Sequence, residues 1–121
     1  MGVNTKYRRK MVRHNSVFYW YVTPDYEDAG IVKLHILSED KKFIVTYELG
    51  QVSRLKKKPF IVIMGIEFEG LNSDYLGYRR VLTPLWKDDI ITPGLVGMII
   101  DWCYSTEKDI TLVNWQGEPL K

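Results

Sequence analysis

Lys6, Arg8, Arg9, Lys10 and Arg13 precede, with no acid among them, the aromatic run Phe18-Tyr19-Trp20-Tyr21. Cations at this density neutralise phosphate, and flat rings beside them stack on unpaired bases, so the combination points to a nucleic-acid surface. If residues 17–22 form a strand, Tyr19 and Tyr21 share one face and Phe18, Trp20 and Val22 the other, the second being the expected core face. The competing reading of the tyrosines is structural: rings buried at the edge of a small core with hydrated hydroxyls.

Two further groups have the same chemistry. Arg54, Lys56, Lys57 and Lys58 place four cations in five residues and suit a phosphate backbone met by a loop. They also flank the most apolar segment of the chain, Phe60 to Met64, where charge suppresses aggregation. Arg79 and Arg80 follow Tyr78 and lie near Trp86, and arginine both stacks and grips phosphate bidentately; surface ion pairing is the alternative.

Catalytic and metal chemistry find less support. His14 and His35 are far apart, Cys103 falls on the expected core face of a helix, and Asp88 and Asp89 are adjacent and point apart. Glu67 and Glu69 share a side of a strand, but alternation with Ile66 and Phe68 accounts for them as a solvated face. No phosphate-cradling glycine loop, nucleophile elbow or paired-histidine motif occurs. The expectation is a protein without enzymatic activity, catalytic residue, metal or cofactor.

The 121 residues, 45% hydrophobic, 13% aromatic and 26% charged, predict one globular domain rather than a disordered chain. The net charge of +2 is unevenly spread: beyond residue 14, twelve basic groups face fifteen acidic ones, a net −3. Attraction to phosphate must then come from local patches. A single cysteine permits no intrachain disulfide, and no apolar stretch approaches bilayer length, so a cytoplasmic protein without membrane contact is expected. Residues 1–14 read as a flexible basic arm and 15–121 as a single β-rich domain. Met11 lies within that arm and is a second candidate initiator, from which only Arg13 of the five cations would survive.

These groups need strands to hold them. Residues 31–37 and 43–49 read as a hairpin around Ser38-Glu39-Asp40-Lys41, with Phe43, Val45, Tyr47 and Leu49 facing the core and Ile44, Thr46 and Glu48 facing away. Phe60 to Met64 reads as the most buried strand, with a bend at Gly65, and 79–86 as a strand limited by Pro84. Thr92-Pro93 forms an N-cap and first helical position, and Leu95, Met98, Ile99, Trp102 and Cys103 recur at helical spacing, with Gly94, Gly97 and Asp101 opposite. Ile110 to Trp115 returns as a last strand.

The fold class is therefore mostly β (α+β): a small antiparallel, partly closed, barrel-like sheet with one main helix near the C-terminus. In length, strand order and the strand-rich run from Val17 to Trp115, the chain resembles the PUA-like RNA-binding folds, and particularly the small PUA-fold regulators carried by pheromone-responsive conjugative plasmids of Gram-positive bacteria. The resemblance implies a non-enzymatic protein that limits expression of conjugation surface proteins by acting on their transcript or its control circuit. A protein-interaction or homodimerising adaptor of a mobile element is the alternative, with residues 17–22 or 79–86 pairing with another chain.

Overall fold

A computed structural model describes residues 8–25, 31–52, 58–71 and 78–120. Among these residues seven strands and one helix run in the order β1 (Arg9–Arg13), β2 (Ser16–Asp25), β3 (Ile31–Ser38), β4 (Ile44–Glu48), β5 (Phe60–Ile63), β6 (Arg79–Leu82), α1 (Pro93–Tyr104) and β7 (Leu112–Val113). The strands form one antiparallel sheet in chain order. The sheet is not closed into a barrel, because β1 and β7 lie at its two edges. Among the described residues no helix is long and apolar enough to cross a membrane.

The flexible arm expected over residues 1–14 is, from Arg9 onward, a strand. Arg9 to Arg13 pair with Trp20 to Ser16 through a two-residue loop, His14-Asn15, in which both residues have positive φ (54° and 60°). That conformation matches the twist of an antiparallel pair, and asparagine tolerates it better than most residues. Met11 lies opposite Phe18 and packs against the core, so β1 belongs to the folded body.

The period-two pattern of β2 to β6 sorts the side chains onto two faces. Phe18, Trp20, Leu34, Ile36, Val45, Tyr47, Ile61, Ile63 and Val81 form the buried face, and α1 covers it with Leu95, Val96, Ile99, Ile100 and Cys103. Val22, expected on this face, is exposed near the end of β2. Thr92 caps the helix as its sequence predicts, its hydroxyl accepting from the Leu95 N–H at 3.1 Å, and Pro93 follows at the first helical position. The buried stripe is rotated from the expected one: Met98 is exposed, while Val96 and Ile100 are buried.

Two buried polar groups tie irregular segments to the sheet. Gln51 replaces a strand neighbour: its Nε2 donates to the carbonyls of Glu48 (2.9 Å) and Phe60 (3.0 Å), and its Oε1 accepts from the Phe60 N–H (3.0 Å). This joins the end of β4 to the start of β5. Asp88 accepts from the Tyr47 hydroxyl at 2.8 Å and the Val52 N–H at 3.2 Å, anchoring the segment before α1. The strand expected over 79–86 ends at Leu82, and the last strand contracts to Leu112–Val113. Gly65 is required by space: a Cβ there would collide with the carbonyl oxygen of Lys42 and the amide nitrogen of Ile44.

Candidate nucleic-acid interface

The face of the sheet opposite α1 carries the chemistry. Cross-strand register aligns Tyr21, His35, Thr46, Val62, Arg80 and Val113 in one row from β2 to β7. A neighbouring row aligns Lys10, Tyr19, Leu37 and Ile44, and a third Thr23, Lys33 and Glu48. Tyr19, Tyr21, Lys33, His35, Thr46, Val62 and Arg80 are each partly exposed, the pattern of a sheet face open to solvent. At about 4.8 Å between strands, Tyr21 and Arg80 stand roughly 19 Å apart along their row.

The two tyrosines are held differently. Arg8 lies over the Tyr19 ring, its Cζ 4.9 Å from the centroid, and Lys10 is directly opposite Tyr19 across the β1–β2 pair. Tyr21 stacks on His35 with ring centroids 4.7 Å apart and planes inclined by 20°. The imidazole is fixed in turn, with Nε2 2.8 Å from the Thr23 hydroxyl and Nδ1 3.0 Å from the Thr46 hydroxyl. Burial, and secondarily the charge of Lys33, pushes the His35 pKa below its ordinary value, so the ring is neutral at physiological pH. A neutral imidazole donates to one threonine and accepts from the other. Tyr21 is thereby an ordered platform that loses little side-chain freedom when something stacks on it.

Other expected contacts lie elsewhere. Arg9 and Arg13 are on the helix-covered side: Arg9 Cζ sits 5.6 Å from the Trp20 ring centroid, and Arg13 grips Asp101 of α1 through Nε (2.7 Å) and Nη2 (2.6 Å). Arg13 is thus a clamp between β1 and α1 rather than part of a phosphate surface. Arg79, adjacent in sequence to Arg80, points to the opposite face, is buried, and donates to the Gly65 carbonyl. Lys58 is exposed just before β5. Arg54, Lys56 and Lys57 lie outside the described residues. Of the twelve expected contacts, the structure brings Arg8, Lys10, Tyr19, Tyr21 and Arg80 onto one face.

Lys33 and His35 also belong to that face. Their parity was legible, since Leu34 between them and Ile36 after them are core residues. Trp115 projects near the row from the turn after β7 and has no such signal in its local sequence. It lines, with Lys33, Thr46, Glu48, Phe60, Val62 and Arg80, a hollow of about 180 Å³ on the open face.

Cys103, Glu67 and His14 have partners or burial of their own. Burial pushes the Cys103 thiol well above its ordinary pKa, Glu67 accepts from the Tyr104 hydroxyl at 3.0 Å, and His14 Nε2 lies 2.8 Å from Asp101. Among the described residues no group of three or more His, Cys, Asp or Glu is placed to hold a metal ion.

The Arg13–Asp101 pair has a predictable acid response. Hydrogen bonding to Arg13 holds the Asp101 carboxyl below the usual carboxylate range against the opposing effect of burial, with a lesser contribution in the same direction from His14. Its stabilising contribution is complete above the unfolded carboxylate pKa of about 3.9 and is lost as pH falls through the lower folded value. Asp101→Asn is therefore expected to shrink the fall in urea midpoint between about pH 5 and about pH 2, with both side chains partly exposed and the effect screened by salt. An unchanged acid limb in urea titrations of the variant would remove the clamp as a stabilising element.

Fold and site together define the class: a single antiparallel sheet with one face sealed by a helix and the other left open, aromatic and basic. Compared with known proteins, the chain matches no family model, no curated protein and no solved structure.

Proposed function

We propose that the protein is a small, non-enzymatic, cytoplasmic RNA-binding regulator that lays unpaired RNA across the open face of its sheet. The observation that carries this reading is the placement of Tyr19 and Tyr21, partly exposed, on one face with Arg8, Lys10 and Arg80. Tyrosine rings stack on bases of any identity, and the cations neutralise the phosphates between them. The resemblance to PUA-fold regulators supports the same reading. It extends the proposal to limiting the expression of conjugation surface proteins from a plasmid transcript.

The test is a fluorescence-anisotropy titration of an unstructured RNA of about twelve nucleotides, against a blunt duplex of equal length. The single strand is expected to bind more tightly, because a duplex hides its base faces. If Arg8, Lys10 and Arg80 each neutralise one phosphate, the log–log salt slope is about −2, a loss of roughly fifteenfold between about 50 and about 200 mM salt. No detectable binding at low salt would overturn the proposal.

A further inference from the structure

The open face adjoins a groove at the β6–β7 edge. After β7 the chain turns tightly: Asn114 Oδ1 accepts from the N–H groups of Gln116 and Glu118 at 2.9 Å each, and the Gly117 N–H donates to the Asn114 carbonyl at 2.9 Å. Gly117 closes the turn with φ +85°, a conformation that favours glycine. The tail is fastened beyond the turn by the Leu120 N–H, which donates to the Leu112 carbonyl at 2.9 Å. Trp115 stands on this braced turn 70% exposed.

Beside it is a groove of about 460 Å³ lined by Leu71, Tyr78, Arg80, Leu112, Trp115 and Leu120 among others, and Tyr78 is 63% exposed. Its volume falls within the range of sites for small planar ligands, which combine apolar walls with few polar groups. The charged residues among its described lining are Arg79 and Arg80, with no carboxylate. Arg80 and Trp115 line both this groove and the hollow on the open face, so the two adjoin at these side chains.

We infer that the groove takes a single unpaired nucleobase extruded from the RNA, its ring against Trp115 and Tyr78, with Arg80 at the adjoining phosphate. The inference rests on the RNA reading above and adds a site of selection: RNA with a looped-out base is preferred over RNA without one. Contact with the open face, and a described lining whose charged residues are Arg79 and Arg80, favour an anionic nucleic acid over an apolar peptide. A braced aromatic loses little freedom on stacking.

The experiment compares two stem-loop RNAs with the same single-stranded tail, one carrying a bulged adenosine and the other an abasic residue at the bulge. The intact protein is expected to prefer the adenosine about tenfold, the usual worth of one aromatic–base stack. Trp115→Ala should erase that preference, Trp115→Phe should keep most of it, and Lys10→Ala should weaken both RNAs alike. Thermal melting of Trp115→Ala within a few degrees of the parent would show that an exposed ring was removed from an intact fold. RNA binding with no preference, or a preference that survives Trp115→Ala, overturns the groove and leaves the open face standing. Binding to neither RNA overturns both. A concentration-dependent dimer that dissociates on Trp115→Ala without change in RNA preference would assign the groove to a second copy of the chain and overturn the inference.

Discussion

Asp88→Ala is expected to cost about 3 kcal/mol of folding stability, since a buried polar group stripped of its partner costs about 1–3 kcal/mol and two are stripped here. Asp88 is fully buried, and its Oδ2 accepts from the Tyr47 hydroxyl and the Val52 N–H. Alanine removes the acceptor from the buried Tyr47 hydroxyl and from the part-buried Val52 N–H. Burial, reinforced by Asp88, drives the Tyr47 pKa far upward, so the phenol stays protonated and remains a donor throughout the working pH range. Tyr47→Phe should cost less, about 2 kcal/mol, because it removes one hydrogen bond to a charged group while the Val52 contact persists. In the double variant the losses should sum to less than the two singles, because the two side chains share a bond. Urea denaturation of the three variants and the parent provides the measurement. A cost for Asp88→Ala below about 1 kcal/mol would show that the carboxylate does not anchor the segment leading into α1.

Removing both platform rings, Tyr19→Ala with Tyr21→Ala, is expected to weaken RNA binding about a hundredfold. Each stack is worth about 1–3 kcal/mol, and about 1.4 kcal/mol is a factor of ten. The salt slope should stay as in the parent, because it counts phosphates rather than bases. Lys10→Ala and Arg80→Ala should do the reverse, each losing modest affinity while flattening the slope by about 0.7. Tyr21→Phe is expected to bind like the parent, since stacking uses the ring and not the hydroxyl. Anisotropy titrations over a salt series separate the two kinds of effect. A double alanine variant that is folded by circular dichroism and binds like the parent would remove the open face as the RNA surface.

The local patterns of β2 and of α1's first turn were open to sequence reasoning because short-range physics governs them. Alternation at Phe18-Tyr19-Trp20-Tyr21 separates core from outer face whatever the rest of the chain does, and Thr92-Pro93 starts a helix through its own hydroxyl and ring. β1 was not legible, because Arg9-Lys10-Met11-Val12-Arg13 has the composition of a solvated tail. Its strand state comes from pairing with β2, from Met11 on the core and from the Arg13 bond to Asp101. Met98 was misassigned for a related reason: helical spacing offers two adjacent stripes, and the position of the sheet selects the one containing Val96 and Ile100.

The basic front end and the aromatic strand are properties of the sequence, and so are the strand-rich class and the parity of Tyr19 and Tyr21. Which cations join those rings was decided by tertiary structure. Arg79 and Arg80 are neighbours in the chain and go to opposite faces, one to a buried carbonyl and one to the open row, while Arg13 turns toward α1. Cross-strand register and the landing site of the helix arise from contacts between residues distant in sequence, and no local pattern of charge or spacing encodes which side of the sheet is left open.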